Sequence, residues 1–142
     1  MLQPIRILTV NQNRILREGI CALIGTQDNL ELAGCTAGAD DAVRLFVENR
    51  PDLTLMDLDL PARGGVSAIR RIIGIDRAAW IIGLVTYEDD PCVVEAMEAG
   101  ASAVLAKDLI REALVLLGRA ESQHGTQYEM PAALELCNRH LK

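Results

Sequence analysis

The chain has 142 residues, of which 50% are hydrophobic and 24% charged, with a formal net charge of −6. That length fits one globular domain with a short appendage, and the composition excludes a disordered or fibrous chain. The negative balance argues against non-specific binding to nucleic-acid phosphates, no N-terminal stretch is built like a signal peptide, and no apolar run approaches the ~20 residues that cross a bilayer, so the expected location is cytoplasmic.

The elements alternate along the chain. Ile5 to Val10 is a β-branched run between Pro4 and the polar trio Asn11, Gln12 and Asn13, and it reads as a buried strand. Ile15, Leu16, Gly19, Ile20, Leu23 and Ile24 then fill one helical stripe, with Asn13 placed to cap it. Leu30 to Ala37 reads as a second strand. A helix from Asp40 to Asn49 follows and stops before Pro51. Leu53 to Met56 is a third strand that delivers Asp57 at its carboxyl end. After a loop from Leu58 to Gly65, a helix runs over Val66 to Ile73. Trp80 to Val85 is a fourth strand ending at Thr86. Asp90-Pro91 opens a helix that closes at Gly100. Ala103 to Leu105 is a short fifth strand followed by Lys107, and Ile110, Ala113, Leu114 and Leu117 form a last helical stripe.

Aromatic residues number only four, Phe46, Trp80, Tyr87 and Tyr128, so Val, Ile, Leu and Ala must fill the core. Five βα units in series predict an α/β fold, a doubly wound five-stranded parallel sheet with helices on both faces. Such a sheet binds ligands beyond the carboxyl ends of its strands, near the switch in strand order. The strand-end residues Asn11, Gln12, Asp57, Thr86 and Lys107 are therefore the candidate site. Residues 1–120 make the domain. Residues 121–142 read as a linker or tail in which Ala133, Leu134, Cys137 and Leu141 share a possible helical face. Cys21, Cys35, Cys92 and Cys137 are widely spaced and the histidines are only His124 and His140, a pattern that fits neither a zinc site nor a disulfide framework and predicts free, mostly buried thiols.

The run Leu55-Met56-Asp57-Leu58-Asp59-Leu60-Pro61, with Gly64-Gly65 after it, resembles the phosphoacceptor segment of bacterial response-regulator receivers, the CheY-like, flavodoxin-like domains. Val85-Thr86-Tyr87 resembles the family's switch segment. Ala99-Gly100-Ala101-Ser102 followed by Leu105-Ala106-Lys107-Asp108 resembles its lysine segment. The arrangement is most similar to receivers of NarL/LuxR-type transcriptional regulators, and the resemblance covers Ile5 to Arg119. It implies two-component signal transduction without enzymatic turnover, with Asp57 as acceptor of phosphate from a histidine kinase. Lys107 becomes the phosphate and carboxylate partner, Thr86 the switch hydroxyl, and the backbone carbonyl of Asp59 a metal ligand alongside Asp57.

Two departures qualify what the resemblance implies. The family carries two acids after its first strand, where this chain has Asn11 and Gln12. Mg²⁺ is held through carboxylates, water and phosphate, and one charge pair ~4 Å apart at an effective dielectric of ~20 is worth roughly 4 kcal/mol. Losing two acids predicts weak Mg²⁺ binding or none, and no other cofactor is expected. The two amides would instead donate hydrogen bonds to Asp57. The second departure is Val104, which stands at the family's aromatic switch position and leaves no ring to rotate. The sequence thus predicts an atypical receiver working by protein contacts or dimerisation through residues 90–119, with no direct nucleic-acid or membrane binding. The acidic group Glu88, Asp89, Asp90 and Glu95 serves there as helix-dipole partner or as a face for a basic protein. A working phosphoreceiver on Asp57 is the alternative. A small-molecule-binding flavodoxin-like domain is a remote one, since no glycine-rich dinucleotide loop, P-loop or Ser-His-Asp set is present.

Overall fold

The structure, a computed structural model, describes the backbone of residues 3–124, with side chains through Arg119, and beyond them Leu134. Strands β1 (Ile5–Val10), β2 (Leu30–Thr36), β3 (Leu53–Asp57), β4 (Ile81–Val85) and β5 (Ala103–Ala106) alternate with helices α1 (Arg14–Gly25), α2 (Ala39–Asn49), α3 (Gly64–Ile75), α4 (Cys92–Ala99) and α5 (Ile110–His124). All strands are parallel in one sheet of order β2-β1-β3-β4-β5. The predicted flavodoxin-like architecture is the observed one.

The aliphatic runs divide the core by face. Ile5, Ile7, Leu53, Leu55, Ile82 and Leu84 pack against buried residues of α1 and α5. Leu8, Val10, Met56, Ile81 and Val85 pack against α2, α3 and α4 on the other side. Every residue of β3 and β4 is buried, which is why these strands read as unbroken apolar segments rather than as alternating ones.

Local chemistry sets the ends. The Asn13 side chain accepts the Leu16 backbone N–H at 3.0 Å and caps α1 as expected. Helix α2 ends at Arg50 in the left-handed region, φ 46°, immediately before Pro51. Helix α4 ends at Gly100 with φ 117°, a conformation that only glycine adopts without strain.

Several boundaries depart from expectation. Gly64 and Gly65 belong to the first turn of α3 and not to a loop. A Cβ on Gly65 would collide with the Asp57 carbonyl, so glycine lets α3 begin against the end of β3. Ahead of it, Ala62 and Arg63 both hold left-handed backbone, φ 54° and 55°. Helix α4 begins at Cys92, with Pro91 in the cap position and the Asp90 side chain accepting the Cys92 N–H at 2.8 Å. Helix α5 continues to His124 past its apolar stripe, all four members of which are buried. Ile15 is 83% exposed although the α1 stripe included it, because the helix turns Ile20 and Ile24 to the sheet. Of the tail stripe, Leu134 is helical and buried in the cluster under α1 and α5. Ala133, Cys137 and Leu141 lie outside the described residues.

The expectation of mostly buried thiols fails for the described cysteines. Cys35 is exposed, and Cys21 and Cys92 are half-buried. Among the described residues no helix is long and apolar enough to cross a membrane.

Candidate functional site

The strand order reverses between β1 and β3, and the carboxyl ends of these neighbours carry Asn11 and Asp57. This is where a doubly wound sheet opens a crevice. Asp57 ends β3 almost fully buried, at 1% exposure, and a carboxylate taken so far out of water needs compensating partners. It has three. Its Oδ1 is 2.9 Å from Lys107 Nζ and accepts the Asp59 backbone N–H at 2.8 Å, while its Oδ2 accepts the Gln12 backbone N–H at 3.1 Å.

Lys107 enters from the end of β5 and bridges two acids. The same ammonium lies 2.8 Å from Asp59 Oδ2. That oxygen also accepts the Thr86 hydroxyl at 2.7 Å and the Thr86 backbone N–H at 3.2 Å. One carboxylate oxygen thus closes a cradle made by the ends of β4 and β5. Burial disfavours charge on Asp59, but the hydrogen bonds from Lys107 and Thr86 outweigh it and hold this carboxyl below its ordinary pKa. Burial likewise opposes the ammonium of Lys107, yet Asp59 and Asp57 together lift its pKa above the ordinary value.

The structure therefore brings Asp57, Thr86 and Lys107 into one site, and it adds the side chain of Asp59, which sequence reasoning had given only a backbone role. Asp57 ends β3 and Asp59 lies in the turn that follows, where its side chain reaches Thr86 and Lys107 from two other strands.

The amides behave otherwise than expected. Neither side chain donates to Asp57. Gln12 reaches it through its backbone N–H, with its side chain exposed. Asn11 is fully buried, its Oδ1 accepts the Asn13 N–H at 3.0 Å, and its Nδ2 has no partner. Reversing that amide would set two donors against each other, so the Asn13 N–H fixes its orientation. The turn is also held from outside. Arg17, on α1, donates from Nη1 to the carbonyls of Asn11 at 2.8 Å and Gln12 at 3.3 Å.

Val104, on β5, is half-buried and lines a cleft of about 370 Å³ with Val85, Val93, Leu109 and Glu88. Beside it, Tyr87, Val94 and Met97 are 69%, 62% and 47% exposed. Of the acidic group, Asp90 caps α4 and Glu95 pairs with Arg63 from the loop after β3. Among the described residues no group of three or more His, Cys, Asp or Glu is arranged to hold a metal ion.

The response regulator receiver domain family matches residues 7–117, which takes in β1 from Ile7, the other four strands and every strand-end residue just described. The chain belongs to the response-regulator receivers. This receiver is 34% identical over 129 residues to the uncharacterized transcriptional regulatory protein YhcZ of Bacillus subtilis, covering 91% of this chain and 59% of that protein. It is 38% identical over 109 residues to the transcriptional regulatory protein YdfI of the same organism, covering 77% and 51%. The receiver thus spans a little over half the length of these curated relatives. Among solved structures, a LuxR-family two-component response regulator from Aurantimonas superposes with a TM-score of 0.74 at 31% identity, covering 99% of this chain and 100% of that one. The response regulator domain of Thermotoga maritima CheB, at 22% identity over 82% of this chain and 95% of that one with a TM-score of 0.71, shares the fold.

Proposed function

We propose that this receiver acts in two-component transcriptional regulation chiefly through protein contacts, with Mg²⁺-dependent phosphorylation of Asp57 weak or absent. The observation that carries this reading is the closed set Asp57–Lys107–Asp59–Thr86. Both carboxylates share one ammonium, and the Thr86 donors are already taken. A divalent ion needs oxygens with net negative charge around it. The turn after β1 offers instead only neutral amides, with the Asn11 oxygen committed to Asn13, its buried N–H₂ group repelling cations, and the uncharged Gln12 side chain exposed. The donor set does not fit Mg²⁺.

A receiver whose charges are satisfied in this way favours a single arrangement. Its output then rests on the surface it presents, and the α4–β5 side fits that role. Tyr87, Val94 and Met97 are exposed apolar residues on the segments that also give Glu88 and Val93 to the cleft at Val104. These residues support docking by a protein partner or a second copy of the chain, and the length of the curated relatives supports an output module elsewhere in the full protein. The domain division at residue 120 and the cytoplasmic setting belong to the same reading.

Amide spectra recorded with millimolar Mg²⁺ and then with beryllofluoride test the proposal. The unmodified protein should show little change at Asp57, Asp59 and Lys107, whereas Asn11→Asp with Gln12→Asp should gain Mg²⁺-dependent shifts there. Strong shifts in the unmodified protein, or rapid labelling from acetyl phosphate, would overturn the reading. They would establish the second one, a working phosphoreceiver, which the placement of Asp57 against Lys107 and beside Thr86 favours.

A further inference from the structure

Strand β2 carries an irregularity that decides where one thiol points. Its register with β1 runs Ile5↔Leu30 and Ile7↔Leu32, then shifts, so that Leu8 pairs with Gly34 and Thr9 with Cys35. Ala33 is the extra residue. Residues opposite one another in neighbouring strands share a face of the sheet, and alternate residues of β1 face the same way. Ile5, Ile7 and Thr9 therefore lie on one face, with Leu30, Leu32 and Cys35 opposite them. Ile5, Ile7 and Leu30 pack with α1 and α5, which identifies that face. Without the bulge at Ala33, strict alternation from Leu30 and Leu32 would send Cys35 to the face covered by α2. Bulges commonly re-aim a side chain in this way.

Re-aimed, Cys35 meets α1. Its Sγ lies 3.3 Å from Sγ of Cys21, the closest approach between any thiols recorded among the described residues. The pair joins a helix to the edge strand of the sheet, and one partner, Cys35, is exposed to solvent reagents. An ordinary disulfide has its sulfurs about 2.05 Å apart, so bonding asks for a closure of about 1.3 Å. No third ligand accompanies the two thiols among the described residues, so the site is a dithiol and not a metal centre.

We propose that Cys21 and Cys35 form a reversible redox-modification site whose co-reactant is a small-molecule disulfide such as oxidised glutathione. Cys35 gives its proton to solvent and, as thiolate, attacks one sulfur of the reagent, expelling one small thiolate. Cys21 loses its proton and attacks the Cys35 sulfur of the mixed disulfide, expelling the second. Two protein thiols are oxidised, one reagent disulfide is reduced to two thiols, and a Cys21–Cys35 bond ties α1 to β2. The order follows from surroundings. Burial and the neighbouring Cys35 push the Cys21 thiol up to about 11, which suits it to the second, intramolecular step. A cytosolic protein uses such a bond as a sensor, since a reducing compartment reopens it.

The test equilibrates the full chain across a series of reduced-to-oxidised glutathione ratios, alkylates it and maps its peptides by mass. The expected result is one Cys21–Cys35-linked peptide pair in a monomeric chain, abolished by reductant and by Cys21→Ser. Closing a loop of about 15 residues should also raise the melting temperature by roughly 5–10 °C. The proposal fails if Cys21 and Cys35 are alkylated separately at every ratio. It fails equally if Cys35 stops at the glutathione adduct, or if it links instead to Cys92, Cys137 or another chain. Mapping the unmodified protein keeps these outcomes readable whether or not the serine variant folds.

Discussion

The centre of the sheet and its α4–β5 margin are built to different standards. All residues of β3 and β4 are buried, and Leu55 and Leu84 are fully inaccessible. By contrast β5 has one buried residue, Ala106, and α4 has one, Ala96, while Val94 and Met97 face solvent. The central strands hold Asp57 in place, and the margin supplies Lys107 and a surface. Position is fixed where packing is dense, and freedom to repack lies where it is sparse.

The contrast is sharpest in core truncation. Leu55→Ala should lower unfolding free energy by about 3–4 kcal/mol in denaturant titration, against less than ~0.5 kcal/mol for Val94→Ala on the margin. Equal losses would erase the distinction. Next in size is Lys107→Met, which strands the buried Asp57 carboxylate. Near neutral pH it should destabilise by roughly 2–4 kcal/mol in denaturant titration, and an unchanged midpoint would show that the ammonium does not compensate the buried acid. Asp59→Asn should cost stability near neutral pH and lose that effect along the acid limb. The Asp59 carboxyl is held below its ordinary 3.8, so its contribution is complete above that value and disappears as pH falls through the lowered pKa. The variant should be less stable at neutral pH, and its loss of stability below pH ~4 should be shallower. An unchanged acid limb would mean that the cradle at Thr86 contributes nothing. Smallest is Val104→Tyr, which places a ring against the α4–β5 cleft and should change stability by less than ~1 kcal/mol while slowing amide exchange in α4. A loss above ~2 kcal/mol would show the margin to be as tightly packed as the centre.

The strands and helices were legible because their apolar runs and caps are local statements. So were Asp57, Thr86 and Lys107, each placed at a strand end by its own strand. What escaped depends on register between elements. The bulge at Ala33 has no marker of its own, and without it the meeting of Cys35 with Cys21 cannot be read from residues 14 apart. Ile15 joined a stripe whose buried members, Ile20 and Ile24, face the sheet while Ile15 itself stays in solvent. The amides at Asn11 and Gln12 were identified as the departure, but the turn delivers a backbone N–H where side-chain donors were expected. Asp59 was assigned by its carbonyl because nothing in one segment reveals that Thr86 and Lys107, from two other strands, will close on its side chain.

Arg17 gives the site a further property. With its guanidinium on the outer side of the turn and the Lys107 ammonium between Asp57 and Asp59, two cations and two anions surround the site. Their monopoles cancel, so these four groups add nothing to the net charge of −6, which is carried by the rest of the chain. Added salt should leave the internal geometry of the site nearly untouched while shifting the encounter rate of the whole molecule with a charged partner.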